Sequence, residues 1–127
     1  MSKRIVAIAA LLLTAAGHPV RAADVLCKDV GNDWTWFSDH VVGSITYVIV
    51  GSPGRKFEAG TGVFFRGKPW GSVVDGGPVA DTNSYAARMT AFGAGALHVR
   101  QRDAGPPAKI CATSTNVTAI TIIQSYF

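Results

Sequence analysis

The chain holds two cysteines, Cys27 and Cys111. Two cysteines admit one intramolecular pairing, and a bridge between them closes a loop of about 85 residues. On the chain-entropy account, that closure restricts the unfolded chain by about 4 kcal/mol. A small domain has only about 5–15 kcal/mol of net stability, so the bridge would be a large part of it. Thiols pair where the compartment is oxidising, so the destination of the chain comes next.

The N-terminus reads MSKR, then IVAIAALLLTAAG, then HPVRAAD. Lys3 and Arg4 form a basic start. Ile5 to Gly17 is apolar but too short to span a bilayer, which needs about 20 residues. This is the layout of a secretory signal peptide. Cleavage needs small residues at two positions, one apart. A cut after Ala23 would put Arg21 at the upstream position, so Val20-Arg21-Ala22 places the cut after Ala22. The expectation is a signal peptide over 1–22 and a single domain over 23–127, exported to the periplasm or the extracellular space. An uncleaved anchor is the rival, and no integral span is expected once the leader is gone. In that setting Cys27 and Cys111 are expected to form a disulfide. No CxxC occurs, and two distant cysteines make a poor zinc signature.

Export changes the charge. The full chain carries 12 Lys and Arg against 8 Asp and Glu, a formal +4. Lys3, Arg4 and Arg21 leave with the signal, so the mature chain has nine basic residues against eight acidic. The broad basic field of a nucleic-acid binder is absent, and no nucleic-acid partner is expected.

About 105 residues remain, one domain on length. Short apolar runs are punctuated by glycine and proline: VLCKDV, DWTWF, SITYVIV, GVFFRG, GSVVDGG, ALHVRQR, KICATS and NVTAITIIQSYF. They are rich in β-branched residues, and several alternate. They predict an all-β, mainly antiparallel domain, a small β-sandwich or a partly open barrel. KICATS is placed as the next-to-last strand and the C-terminal run as the last. In DTNSYAARMTAF, Tyr85, Met89 and Phe92 fall at helical spacing, which allows a short helix near 84–92. Tyr85, Ala87, Met89 and Ala91 also alternate, and the strand is preferred because its neighbours are strands. The Cys–Trp–Cys spacing of immunoglobulin domains is missing. Phe127 ends an alternating run, as outer-membrane barrel strands do. Ser125, however, stands where an aromatic is usual, and the chain leaves little for loops.

Candidate chemistry starts at NDWTWFSDH. On a strand, Trp34 and Trp36 share one face, while Thr35 and Phe37 share the other. Such a pair could form an aromatic shelf for a sugar or a partner protein. Burial habits favour the core for both. Trp70, in RGKPWG, sits in a turn-like context and is expected to be exposed. In ALHVRQR, Arg100 and Arg102 share a face with His98 and could support an anionic ligand such as an acidic glycan, a lipid headgroup or a phosphate. A solvated sheet face is the plainer reading. Asp39-His40 suggests acid–base work, but strand neighbours point to opposite faces, and no GxSxG elbow surrounds Ser38 or Ser44. His40 and His98 lack metal-ligand spacing, and DVGND lacks the full calcium-loop pattern. The glycine-rich stretches match no phosphate loop. No catalytic residue, metal site or cofactor is assigned.

The sequence therefore points to an exported, non-catalytic binding protein. Its ligand would be a carbohydrate or a protein, met by Trp34, Trp36 and Trp70 with Arg100 and Arg102 in support. The alternatives are a secreted inhibitor of a hydrolase working through RGKPWG, a small hydrolase using His40 or His98, and a membrane-active β protein.

Overall fold

The run SITYVIV becomes strand β3 (Ser44–Gly51), and its burial explains its composition. Tyr47 and Ile49 point to one side, Val48 and Val50 to the other, and all four are buried. A strand covered on both faces reads as a continuous apolar run. This computed structural model describes residues 25–38, 44–92, 96–114 and 116–127. The expected signal peptide and cleavage site and the Asp39-His40 pair lie outside the described residues.

Five strands form the larger sheet: β1 (Val25–Val30), β11 (Ala108–Thr113), β3, β9 (Tyr85–Phe92) and β8 (Gly77–Pro78), in that spatial order. The smaller sheet runs β2 (Thr35–Ser38), β10 (Leu97–Gln101), β4 (Phe57–Gly60), β7 (Val73–Asp75). A separate hairpin pairs β5 (Phe64–Phe65) with β6 (Lys68–Pro69). Every pairing is antiparallel. Phe37, Phe57 and Val99 from the small sheet meet Tyr47, Ile49, Met89 and Ile110 from the large one. Neither sheet closes on itself, so the all-β expectation resolves to a sandwich rather than a barrel.

The ambiguous segment is a strand. β9 pairs with β3 from Ser44↔Phe92 to Val50↔Ala86, and Ala87, Met89 and Ala91 face the core. The pleat's period of two therefore prevails over the helical spacing, and no helix forms over 84–92. The structure corrects the C-terminus. The run expected as the last strand forms a helix, α1 (Ala119–Tyr126). Thr118 caps it, its hydroxyl accepting the Thr121 N–H at 3.2 Å. Val117 before the cap and Ile122 in the next turn are buried in one cluster, the arrangement of a hydrophobic staple. Ala119, Ile122, Ile123 and Tyr126 make one helical stripe against Val48 and Val50. Lys109 donates to the Tyr126 carbonyl at the helix end, where a cation is favoured.

Cys27 and Cys111 are bonded, with a sequence separation of 84. They sit directly opposite each other in the β1–β11 register. The bridge lies beneath α1 with Val48 and Val50, within one sheet rather than between the two. Its second strand is the last in the chain, because the segment beyond it is helical. Asn32 binds the first corner to a later one, donating to the carbonyls of Gln101 and Asp103 at 3.1 and 2.9 Å. Among the described residues, no helix is long and apolar enough to cross a bilayer.

Candidate functional site

Strand alternation on β2 sends Phe37 into the core and Trp36 outward. The register then aligns Trp36, His98, Gly60 and Val73 in one row on the outer side of the small sheet. Two residues along, a second row holds Arg100, Glu58 and Asp75. The Trp34 ring lies beside it, 4.8 Å from the Arg100 guanidinium carbon. The two tryptophans share a face as the pleat requires, but that face is not the core. Trp36 is 47% exposed and Trp34 is half-buried. The core side of β2 is taken by Phe37, which overturns the burial expected of the tryptophans.

The β5–β6 hairpin folds onto this face. Arg66 (φ 54°) and Gly67 (φ 81°) both have positive φ, as a two-residue primed turn demands. The Trp70 N–H donates to the Val63 carbonyl at 3.0 Å, and the indole Nε1–H donates to the Phe65 carbonyl at 2.5 Å. Gly60 lets the hairpin down onto the sheet, since a Cβ there would stand 2.2 Å from Pro69 Cγ. Phe64 then stacks on His98, ring centroids 4.2 Å apart and planes 16° from parallel. His98 is only 7% exposed, and its Nδ1 makes no hydrogen bond. Burial lowers its pKa below the ordinary 6.5, the Ala96 backbone acting in the opposite direction. Phe64 roofs the imidazole, and among the described residues no carboxylate orients its Nδ1.

Folded this way, the hairpin leaves large apolar groups in solvent. Phe65 is 54% and Trp70 55% exposed, and Val63 and Val73 are exposed beside them. Cations lie over the rings: Lys28 Nζ is 4.6 Å from the Trp36 centroid, Lys68 Nζ 4.4 Å from Trp70, and the Arg66 guanidinium 5.2 Å from Phe65. Lys28 also donates to the Trp36 carbonyl at 2.7 Å, joining the edges of the two sheets. From Val63 to Trp70 there is no carboxylate, amide or hydroxyl side chain.

Of the residues singled out in the sequence, the fold brings Trp34 and Trp36 onto one face and adds Trp70 through the hairpin. Arg100 and Arg102 are engaged within the protein. Arg100 Nε donates to Glu58 at 2.5 Å, and Arg102 Nη1 donates to Asp75 at 2.6 Å. The hydrogen bond and charge of Asp75 raise the Arg102 pKa above the ordinary guanidinium value. Sequence reasoning missed Val63, Phe64, Phe65 and Lys28 as part of this surface. It read GVFFRG and RGKPWG as separate pieces, although two apolar ends flanking Arg66-Gly67 are a hairpin pattern.

A concave site of about 490 Å³ opens at the other edge of the sandwich, floored by Phe57 and Tyr85 and rimmed by Lys56, Asp75, Arg102 and Asp103. The volume suits a small molecule. Its rim charges are largely spent on the protein itself: Arg102 holds Asp75, and the Asp103 carboxylate accepts the Lys56 backbone N–H at 2.7 Å. Among the described residues, no three His, Cys, Asp or Glu side chains gather as a metal-binding group. Fold and surface together define an open antiparallel β-sandwich that carries an aromatic hairpin on its smaller sheet. No protein-family model, curated protein or solved structure matches the chain.

Proposed function

We propose that the chain is an exported, non-catalytic binding protein whose recognition surface is the outer face of the small sheet together with the β5–β6 hairpin. The observation that carries this reading is the group Trp36, Phe65 and Trp70, each about half exposed and each with a cation over its ring. A contiguous exposed apolar patch of this kind marks interaction surfaces on soluble proteins. The cations favour a ligand that is both apolar and anionic. They already occupy ring faces that a neutral sugar would stack on, so a neutral carbohydrate is the weaker ligand class. The inhibitor reading asks Arg66 to Gly71 to lie extended in a partner's cleft. Here the segment is half of a closed hairpin pinned on Gly60, which makes that reading weaker as well.

The test is a heteronuclear NMR titration of the mature chain with three ligand pools: envelope lipids, acidic polysaccharides and soluble envelope proteins. The perturbed amides should concentrate in 63–70 and around Trp36 with whichever pool contains the ligand. Perturbations centred on the Phe57–Tyr85 cavity instead would sink the assignment of the surface.

A further inference from the structure

We infer that the ligand of this surface is an anionic phospholipid membrane, with the β5–β6 hairpin seated at the boundary between headgroups and acyl chains. The inference rests on the recognition surface proposed above and names its partner. Val63, Phe64 and Phe65 are consecutive and all exposed, and Trp70 stands beside them. An aliphatic and two phenyl side chains in sequence offer nothing to the hydroxyl groups of a glycan. A glycan site adds polar groups placed to bind those hydroxyls, and between Val63 and Trp70 there is no side-chain carboxylate, amide or hydroxyl to do so. The same residues suit a bilayer interface, where apolar area enters the acyl boundary and tryptophan settles at headgroup depth. Arg66 and Lys68 lie within the same eight residues, and Lys28 joins them over Trp36. They are placed to meet lipid phosphates, as basic residues beside an apolar insertion do on anionic membranes.

The hairpin is also built to hold its shape while it inserts. The Trp70 indole N–H is already bonded to the Phe65 carbonyl, so the indole can leave water without an orphan donor. Pro69 against Gly60 and Phe64 against His98 anchor the base of the hairpin to the sheet. Phe65 and Trp70 are thus presented from a rigid support.

Vesicle co-sedimentation of the mature protein tests this, with phosphatidylcholine alone and phosphatidylcholine mixed with phosphatidylglycerol. Binding should require the anionic lipid and weaken as salt rises. Phe65→Ser and Lys68→Glu should each lower the partition coefficient by roughly tenfold. Arg88→Glu, on the far side of the larger sheet, should leave it unchanged. A second measurement needs no variant: spin-labelled lipid in the mixed vesicles should broaden the amide signals of 63–70 and of Trp36 and spare β9. Equal binding to neutral vesicles overturns the anionic requirement. Absence of vesicle binding, with acidic polysaccharide or a soluble protein still perturbing 63–70, overturns the lipid and leaves the recognition surface standing. Vesicle binding that ignores Phe65→Ser and Lys68→Glu and broadens other regions overturns both.

Discussion

At the scale of single residues, the charges on the outer sheet face are arranged by burial. The Glu58 side chain is 11% exposed, and Arg100 is its close partner. Replacing Arg100 by methionine would leave a mostly buried carboxylate without its nearest cation. The expected loss is about 1–2 kcal/mol in urea unfolding, below the usual figure for a buried pair because the Arg100 side chain is 40% exposed. The double variant Arg100→Met, Glu58→Gln should recover part of that loss; if it is additive, the pair is not coupled. His98 gives a pH dependence of definite sign. Its folded pKa is lowered, so below about 6.5 the unfolded chain binds more protons at this site than the folded chain. Its contribution therefore weakens stability as pH falls from 6.5 towards the folded value and is absent above that window. Thermal unfolding followed from pH 7.5 to 5 should show the midpoint falling, and His98→Gln should flatten that slope. An unchanged slope would mean that the imidazole under Phe64 does not titrate as its burial dictates.

At the scale of elements, the C-terminal helix shows how a strand-like composition can be diverted. Thr118, Thr121, Ile122 and Ile123 are all β-branched, yet the segment is capped and stapled into a helix. The Thr118 hydroxyl is therefore a switch for the whole element. Thr118→Ala should cost about 1 kcal/mol, which in a domain of this size lowers Tm by roughly 4–8 °C. Thr118→Ser, which keeps the accepting oxygen, should behave close to wild type. If alanine and serine fall together, the side-chain oxygen is not the cap. The hairpin follows the same logic on the opposite side of the molecule. A primed turn at Arg66-Gly67 and the Gly60–Pro69 approach decide where Phe65 and Trp70 end up.

At the scale of the whole molecule, the layers are α1, the larger sheet, the core, the smaller sheet and the hairpin. The Cys27–Cys111 bridge lies under the first of these and joins an edge strand to its neighbour. Its effect is nonetheless global, because it closes a loop of 84 residues that contains most of both sheets. Removing it as the double variant Cys27→Ala, Cys111→Ala should cost about 4 kcal/mol, read as a lower denaturant midpoint with a steeper slope, because the unbridged chain unfolds to a more open state. A loss below about 1 kcal/mol would show that β1 docking alone holds the chain end in place. An unchanged slope would show that the bridge does not restrict the unfolded chain.

Features carried by local period and by redox chemistry could be read from the residues alone. Tyr85, Ala87, Met89 and Ala91 alternate, and they lie in a strand. Val48 and Val50 alternate with Tyr47 and Ile49, and the strand is buried on both sides. Cys27 and Cys111 had one possible partner each and found it. Trp34 and Trp36 were legible as sharing a face, because a pleat has a period of two. Which side that face looks toward was not legible, since the answer depends on how β2 registers against β10, more than fifty residues away in the chain. The same holds for Phe64 on His98 and for Glu58 beneath Arg100, 42 residues apart. The helical stripe of Ala119, Ile122, Ile123 and Tyr126 was present in the sequence all along. It could outweigh β-branching only once the outer side of β3 existed as an apolar surface to cover. Local periodicity belongs to one segment at a time, whereas facing, pairing and covering are properties of two segments at once, and only the folded chain brings those two together.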